Sequence, residues 1–258
     1  MMDRNLGAKA GYTDFPESYL EKSKANGFHY QCGRKDPFPS SYSETLMINI
    51  TINADKPTLG MLNLYQPDGL SYFIMQASSN TVSLRTAYQH PTTSYSSGAS
   101  WCSDNSDLFW NGSDNKKTVH DPCPAGWRIA SKVNYQPFFT STSYTESGET
   151  GNANIPMNMK NKETVVKDGG AVIYFENTSS GRTTYLRMTG YQEFYNKFNY
   201  IGGTSNLWCR ESRGTENAYS LAIIEDYFPY EVGKNGHNIS SIWARRDAHP
   251  LRCIQDRE

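Results

Sequence analysis

The 258-residue sequence lacks an apolar run long enough to cross a bilayer, and it has no surplus of either charge. A membrane-spanning helix needs about 20 consecutive apolar residues, so the sequence predicts no direct insertion into a membrane. The 25 basic and 26 acidic residues leave a formal net charge of −1. Because nucleic-acid-binding surfaces depend on clustered Lys and Arg, this balance also predicts no nucleic-acid partner.

Cysteine is scarce, and its spacing matches none of the common zinc patterns. The five cysteines are Cys32, Cys102, Cys123, Cys209 and Cys253. This number fits an oxidising compartment, with one thiol left over after pairing. The sequence starts without a signal peptide, which predicts that it is the mature part or one domain of a longer exported chain.

Tyr, Ser, Thr, Asn and Gly are plentiful, and this composition favours strands, long polar loops and aromatic contact surfaces. One helix is predicted from about Phe15 to Asn26, with Asp14 as its N-cap. A second is predicted at 132–139, weakened by Pro137 in its interior. The alternation of apolar and polar residues over 46–52 predicts a half-buried strand. Further strands are predicted at 61–65, 72–76, 82–88, 164–167, 171–176, 183–189, 218–224, 242–245 and 251–255.

These strands include two predicted hairpins, 164–167 with 171–176 and 171–176 with 183–189, and two closing strands, 242–245 and 251–255. No repeat of fixed period and no linker divides the sequence. We therefore predict a single domain over residues 1–258.

The segment from 94 to 115 is polar and rich in Asp and Asn. Its clusters 104–107 and 111–115 contain oxygen ligands that a calcium ion could accept. Their spacing does not match an EF-hand loop, and solvated turns have the same composition. We therefore predict no metal, and keep calcium as the alternative.

Cys123 lies between Pro122 and Pro124, whose rings fix φ and bias the preceding residues towards extended conformations. Cys253 lies in a short apolar run, 251–254, that indicates a strand. Together they suggest a disulfide that joins the middle of the chain to its end. Such a closed loop of about 130 residues stabilises by about 4 to 5 kcal/mol in the chain-entropy model.

Several blocks of this sequence carry a resemblance. They are Asp3 to Ala8, Tyr30-Gln31 with Gly33 to Phe38, Lys117-Thr118 with Asp121 to Arg128, Ala218 to Leu221, and Leu251 to Cys253. In this order, and over nearly the whole chain, the blocks resemble the Fibrobacter succinogenes major paralogous domain family. The resemblance implies an α+β, C-type lectin-like fold with twisted antiparallel sheets, one or two short helices and long loops. It also implies that Cys123 and Cys253 are the family's cysteine pair.

The sequence departs from the family pattern at several positions. Cys32 stands where the family usually has Trp, and His120 stands where it usually has Tyr. Ala130 replaces the usual Pro, and Ala248 replaces a common Gly. The usual Trp-Ser-Ser is Trp208-Cys209-Arg210 in this sequence. Cys32, Cys102 and Cys209 are therefore outside the pattern. A second disulfide between Cys102 and Cys209 is a candidate, and the pairing of these three cysteines stays open.

Enzymatic activity is not predicted, and neither is a cofactor. A thiol enzyme needs a cysteine that a nearby base activates, and His120 lies three residues from Cys123. The alternative is that Cys123 is a structural half-cystine, in which case the nearby His120 has no catalytic role. The fold that the resemblance implies is related to that of the formylglycine-generating enzyme. A thiol- or copper-dependent oxidase is therefore the third hypothesis. The Glu-Pro-Asn, Gln-Pro-Asp and Trp-Asn-Asp motifs of calcium-dependent sugar binding are absent.

The last third of the sequence mixes aromatic residues and arginines with polar loops, a composition suited to a recognition surface. The predicted ligand-binding residues are Trp208, Arg210, Glu211, Arg213, Tyr227, Tyr230, His237, Trp243 and Arg246. The family occurs in surface lipoproteins and fimbrial proteins of gut anaerobes. The resemblance thus implies an extracellular, adhesin-like domain on a bacterial cell surface, with a protein or glycan on a cell surface as its ligand. A structural pilus or surface-layer subunit, in contact with other fimbrial subunits, is the alternative.

Overall fold

Antiparallel sheets with a few short helices make up the fold. The computed structural model describes residues 1–38, 40–43, 48–51, 62–65, 76–104, 109–112, 116–139, 157–160, 169–175, 181–193, 197–201, 204–224 and 236–256. Sheets dominate in these ranges, consistent with the predicted α+β class. None of the helices in the same ranges is long and apolar enough to span a membrane.

The described helices are short. They are α1 Tyr19–Lys24, α2 Leu84–Gln89 and α3 Lys132–Tyr135, and α3 continues into a 3-10 turn at Gln136–Phe138. The helix predicted from 15 to 26 is therefore shorter. The Ser18 hydroxyl accepts the N–H of Glu21 at 3.2 Å and marks its start. Asp14 instead accepts the N–H of its neighbour Phe15 at 2.9 Å.

The strand predicted at 82–88 is wrong, because this segment forms α2. Ser83 is the N-cap, and its hydroxyl accepts the N–H of Thr86 at 3.2 Å. Asp104 accepts the N–H of Leu84 at 2.8 Å. Two N–H groups that a helix start leaves unpaired thus find side-chain acceptors. Asp104 is distant in sequence, so the alternating pattern alone gave no sign of this contact.

The strands lie in several small sheets. They are β1 Tyr30–Gln31, β2 Ser40–Ser43, β3 Ile48–Thr51, β4 Leu62–Tyr65, β5 Gln76–Ser78, β6 Thr93–Tyr95, β7 Trp127–Ile129, β8 Gly170–Tyr174, β9 Thr183–Arg187, β10 Tyr191–Glu193, β11 Lys197–Ile201, β12 Thr204–Arg213, β13 Asn217–Ile224, β14 Gly236–Ala244, β15 Ala248–His249 and β16 Cys253–Gln255. The largest described sheet has the order β1-β15-β10-β11-β3, and the next has the order β12-β13-β14. The remaining pairs are β16-β7, β2-β4, β8-β9 and the parallel pair β5-β6.

Most of the strand predictions that fall on described residues are confirmed. The hairpin forms from β8 and β9, with Gly170 opposite Arg187. β3 and β4 lie inside their predicted ranges, and β13 begins one residue before its own. The two predicted closing strands form as parts of β14 and β16. β14 pairs with β13, and β16 pairs with β7. Predicted residues 72–75 and 164–167 lie outside the described residues, as do parts of the Asp- and Asn-rich segment.

The N-terminal segment runs beside β16. The N–H of Met2 donates to the Cys253 carbonyl at 2.8 Å, and the N–H of Leu6 donates to the Leu251 carbonyl at 2.9 Å. On its other side β16 pairs with β7, with Cys253 opposite Ile129. Both ends of the described chain therefore meet beside the Cys123 turn.

The two faces of β12 contribute to different parts of the core. Leu207 and Cys209 pack into a cluster with α3 and β8. Trp208, which points the other way, packs beside Cys123 and Cys253. Period-two alternation produces this division, and it places a cluster of aromatic side chains between the two larger sheets.

Candidate functional site

Trp208, the first of the predicted ligand-binding residues, belongs to the core. Its side chain has no exposed surface, and its indole N–H donates to the Tyr30 carbonyl at 2.7 Å. Its ring lies 4.5 Å from the ring of His249 and 6.3 Å from that of Trp110, centroid to centroid. We therefore correct this prediction: Trp208 cannot contact a ligand without unfolding.

Arg210, Glu211 and Arg213 follow on β12 and are partly buried. The Glu211 carboxylate accepts the N–H of Lys132, the first residue of α3, at 3.1 and 3.2 Å. Burial raises the pKa of Glu211, while this N–H and the charges of Lys132 and Arg128 oppose the rise. Glu211 thus holds α3 against β12, which is a structural role.

Trp243 and Arg246 lie near the turn between β14 and β15. The ring of Trp243 packs 4.6 Å from that of Tyr191 and 5.0 Å from that of His249. The Arg246 guanidinium donates to the carbonyl of Gly98. These two residues share one region, at the end of β14 and the turn that follows it.

The side chains of the other three members of the predicted set lie outside the description that the structure gives. Tyr227 and Tyr230 lie outside the described residues, and His237 is described only as a backbone position of β14. The six predicted residues whose side chains the structure describes are therefore divided between the core, the contact with α3 and the β14–β15 turn.

Cys123 and Cys253 form the predicted disulfide, with Cα atoms 6.0 Å apart. The Asp121 carboxylate fixes the turn, because it accepts the N–H groups of Cys123 at 2.8 Å and Ile129 at 3.0 Å. The candidate disulfide between Cys102 and Cys209 is absent. Both thiols are free and buried, in different clusters of the core.

The free thiols are poorly suited to nucleophilic chemistry. Burial raises the pKa of Cys32 and Cys209, and raises that of Cys102 to about 11. A raised pKa keeps a cysteine as the unreactive thiol. His120, the base considered at the sequence level, interacts with the Tyr88 hydroxyl, and its ring stacks on that of Tyr88.

An open groove with a volume of about 590 Å³ lies along the paired strands β7 and β16. Its lining consists of Met1, Trp127, Arg128, Asn134, Ile254, Gln255 and Asp256. The three apolar side chains are half-buried, and Gln255 is exposed. Sites for small ligands are concave, with volumes of about 300 to 1,000 Å³ and a mixture of apolar walls and a few polar groups. The groove has these properties.

The walls of the groove are held by contacts outside it. The Lys117 ammonium donates a hydrogen bond to the Trp127 carbonyl at 2.6 Å. The backbone N–H of Asp256 donates to the Gly126 carbonyl at 2.9 Å. The Asn134 amide oxygen accepts the N–H of Ser131 at 2.8 Å within the capping box of α3. The groove is thus pre-formed by the β7–β16 pair and by α3.

The charged groups of the groove form one pair. Nη1 of Arg128 lies 3.5 Å from Oδ1 of Asp256, at the long end of hydrogen-bond distance. Trp127 is half-buried against the cluster around Cys123 and Cys253, and its strand partner Gln255 is exposed. An aromatic plane next to planar hydrogen-bonding groups suits a ligand that has apolar ring faces and hydroxyl or amide groups at its edges.

Sequence reasoning missed this groove, although part of the signal was present. Trp127 and Arg128 belong to the block around Cys123, which we interpreted as framework. The predicted cross-link to Cys253 brings that block to residues 254–256, and Trp127 pairs with Gln255 in the β7–β16 register. Asn134 enters from α3, whose position depends on tertiary contacts.

Among the described residues, no group of three or more His, Cys, Asp and Glu side chains is placed to hold a metal ion. Comparison of the chain with protein-family models, with curated proteins and with solved structures finds no match. The functional interpretation therefore rests on the geometry of the chain itself.

Proposed function

We propose that this chain is an extracellular, non-enzymatic ligand-binding domain of a bacterial surface or fimbrial protein, with an adhesin-like role. The groove beside Trp127 is the observation that carries the proposal. It is open, pre-formed and stiffened by the neighbouring disulfide. A pre-formed site loses little conformational entropy when its ligand binds.

The extracellular assignment is supported by the disulfide between Cys123 and Cys253. Disulfides persist in oxidising compartments and are rare in the cytosol. The C-type lectin-like fold implied by the sequence blocks remains part of this proposal. The small antiparallel sheets and short helices are compatible with it.

A glycan, free or on a glycoprotein, is the ligand class that the groove fits best. The C–H faces of a sugar ring pack on an indole such as Trp127. Its hydroxyl groups match the side chains of Arg128, Gln255 and Asp256, which together supply donors and acceptors. A protein ligand that presents an aromatic or amide side chain is the second class.

The test is an array of glycans and surface proteins probed with the purified domain and three variants. One variant alters the groove through Trp127→Ala with Gln255→Ala. A second alters the predicted loops through Tyr227→Ala with Tyr230→Ala. Val133→Ser is the matched control, because Val133 is 64% exposed on α3 and does not line the groove.

Binding that the groove variant loses and the other two variants keep is the expected result. Loss in the loop variant alone would move the site to the C-terminal loops. If the wild-type domain binds nothing on the array and assembles into oligomers, the structural subunit replaces this proposal. Circular dichroism of each variant verifies that it is folded.

A further inference from the structure

Asn134 is the residue that α3 contributes to the groove, and the orientation of its side-chain amide is fixed. Oδ1 of Asn134 accepts two hydrogen bonds from Ser131, one from the backbone N–H at 2.8 Å and one from the hydroxyl at 2.6 Å. A backbone N–H can only donate, so the amide atom opposite it must be the oxygen. A flipped amide would place Nδ2, itself a donor, against that N–H. The capping box therefore determines which end of the amide is which.

The same two bonds decide what the Asn134 amide can offer to a ligand. An amide oxygen has two lone pairs, and the amide nitrogen carries two N–H donors. Ser131 occupies both lone pairs of Oδ1, whereas Nδ2 has no hydrogen-bond partner within the described part of the chain. Asn134 is half-buried rather than enclosed. Its side chain therefore offers a ligand hydrogen-bond donors and no acceptor.

The charges of the groove favour a neutral acceptor over an anionic one. The Arg128 side chain is only 9% exposed, and its guanidinium lies 3.5 Å from the carboxylate of Asp256, which is 22% exposed. A carboxylate on the ligand would compete with Asp256 for Arg128 and would be repelled by its charge. A neutral acceptor leaves this pair intact. Gln255 carries both donors and an acceptor, so it accommodates either kind of ligand group.

We propose that Asn134 is a specificity-determining residue of the groove and selects glycans that carry an N-acetyl group. This inference rests on the proposed function, because it names the sugar class that the same groove takes. The carbonyl of an N-acetyl group is a neutral acceptor for Nδ2 of Asn134. Its methyl group finds apolar contact in a groove that Met1, Trp127 and Ile254 also line. A hydroxyl at the same position of the sugar ring lacks the methyl group and gains no such contact.

The experiment is isothermal titration of the purified domain with two matched pairs of sugars. Triacetylchitotriose and cellotriose share one backbone and differ only in acetamido or hydroxyl groups, and N-acetylgalactosamine with galactose covers a second ring configuration. In at least one pair the acetylated sugar should bind about tenfold more tightly.

Asn134→Asp is the decisive variant. It keeps an oxygen for the Ser131 N–H and hydroxyl, and it replaces the donor at Nδ2 by an acceptor. The preference for the acetylated sugar should therefore disappear, while the thermal midpoint of unfolding stays close to that of the wild type.

Val133→Asp is the matched control, because it adds the same charge to α3 at a residue that is 64% exposed and does not line the groove. It should keep the preference. Equal affinity of the wild type for both sugars of each pair, or a preference that survives in Asn134→Asp, would overturn this inference and leave the groove proposal standing. Absence of any sugar binding by the wild type would overturn both. If Asn134→Asp does not fold, the wild-type comparison still decides.

Discussion

Trp208 and Tyr30, 178 positions apart in sequence, are joined by a hydrogen bond of 2.7 Å from the indole N–H to the backbone carbonyl. Tyr30 begins β1 of one sheet, and Trp208 lies in β12 of the other. The bond therefore connects the two larger sheets through their shared aromatic layer. Neither residue has more than 3% of its surface exposed.

Trp208→Phe should lower the free energy of unfolding by about 2 to 4 kcal/mol, because it leaves a buried carbonyl unsatisfied and removes buried volume. Urea unfolding measures the change. Val133→Ala on exposed α3 is the control and should stay within about 0.5 kcal/mol of the wild type. Unchanged stability with loss of ligand binding would return Trp208 to the recognition surface.

The double variant Cys123→Ser with Cys253→Ser should lose about 4 to 5 kcal/mol, since the disulfide closes a long loop in the unfolded chain. Reductant should then shift the urea midpoint of the wild type and leave that of the double variant unchanged. Alkylation of the native protein should label none of Cys32, Cys102 and Cys209, because all are buried. A midpoint shift in the double variant would reveal a second disulfide.

Local signals in the sequence predicted the parts of the fold that depend on neighbouring residues. The β8–β9 hairpin follows from its turn residues, and α3 begins at residue 132, where the sequence predicted a helix start. The Pro122-Cys123-Pro124 turn likewise indicated a fixed cysteine. Each of these features is specified within a few residues.

The parts that failed depend on distant partners. Trp208 and Glu211 were assigned to a recognition surface, but Trp208 is buried beside Tyr30 and the Glu211 carboxylate accepts the N–H of Lys132. α2 depends on Asp104, which lies 20 residues after Leu84. The groove forms only where β16, β7 and α3 lie side by side. No local sequence pattern predicts that arrangement.

Arg34→Lys should destabilise by more than about 3 kcal/mol, because lysine cannot reproduce the planar set of donors. The Arg34 side chain is fully buried and binds Asp36 at 2.9 Å and the Thr93 carbonyl at 2.7 Å. Its guanidinium also lies 5.0 Å from the ring centroid of Phe38. Thermal unfolding checks this, with the exposed Arg4→Lys as control. Equal midpoints would show that charge alone suffices at Arg34.

Stability should fall as pH falls below about 6.5, the pKa of an unfolded histidine. Burial lowers the pKa of His29 to about 3 and that of His249 well below its usual value. Between about pH 6.5 and 4 the unfolded chain therefore binds more protons, with up to about 1.4 kcal/mol lost per pH unit for each histidine.

Asp247 opposes this loss, because its folded pKa of about 7 lies above the unfolded value. Between about pH 3.9 and 7 the folded state holds the extra proton, so this group favours folding as pH falls. Asp247→Asn should therefore steepen the acid loss and raise stability at pH 8. Urea unfolding from pH 4.5 to 8 measures both effects. A parallel pH profile for the variant would contradict the assignment.

The hydrogen bonds of Met2 and Leu6 to residues 253 and 251 run antiparallel beside the disulfide. Tension on the two ends of the described chain would load these bonds one at a time, so they would open at low force. The disulfide then prevents the segment between Cys123 and Cys253, which are 130 positions apart, from extending. Fully extended, that segment would add about 450 Å of contour length at about 3.5 Å per residue. Under load the loop closed by the disulfide would stay out of the force path, whereas the residues before Cys123 could extend.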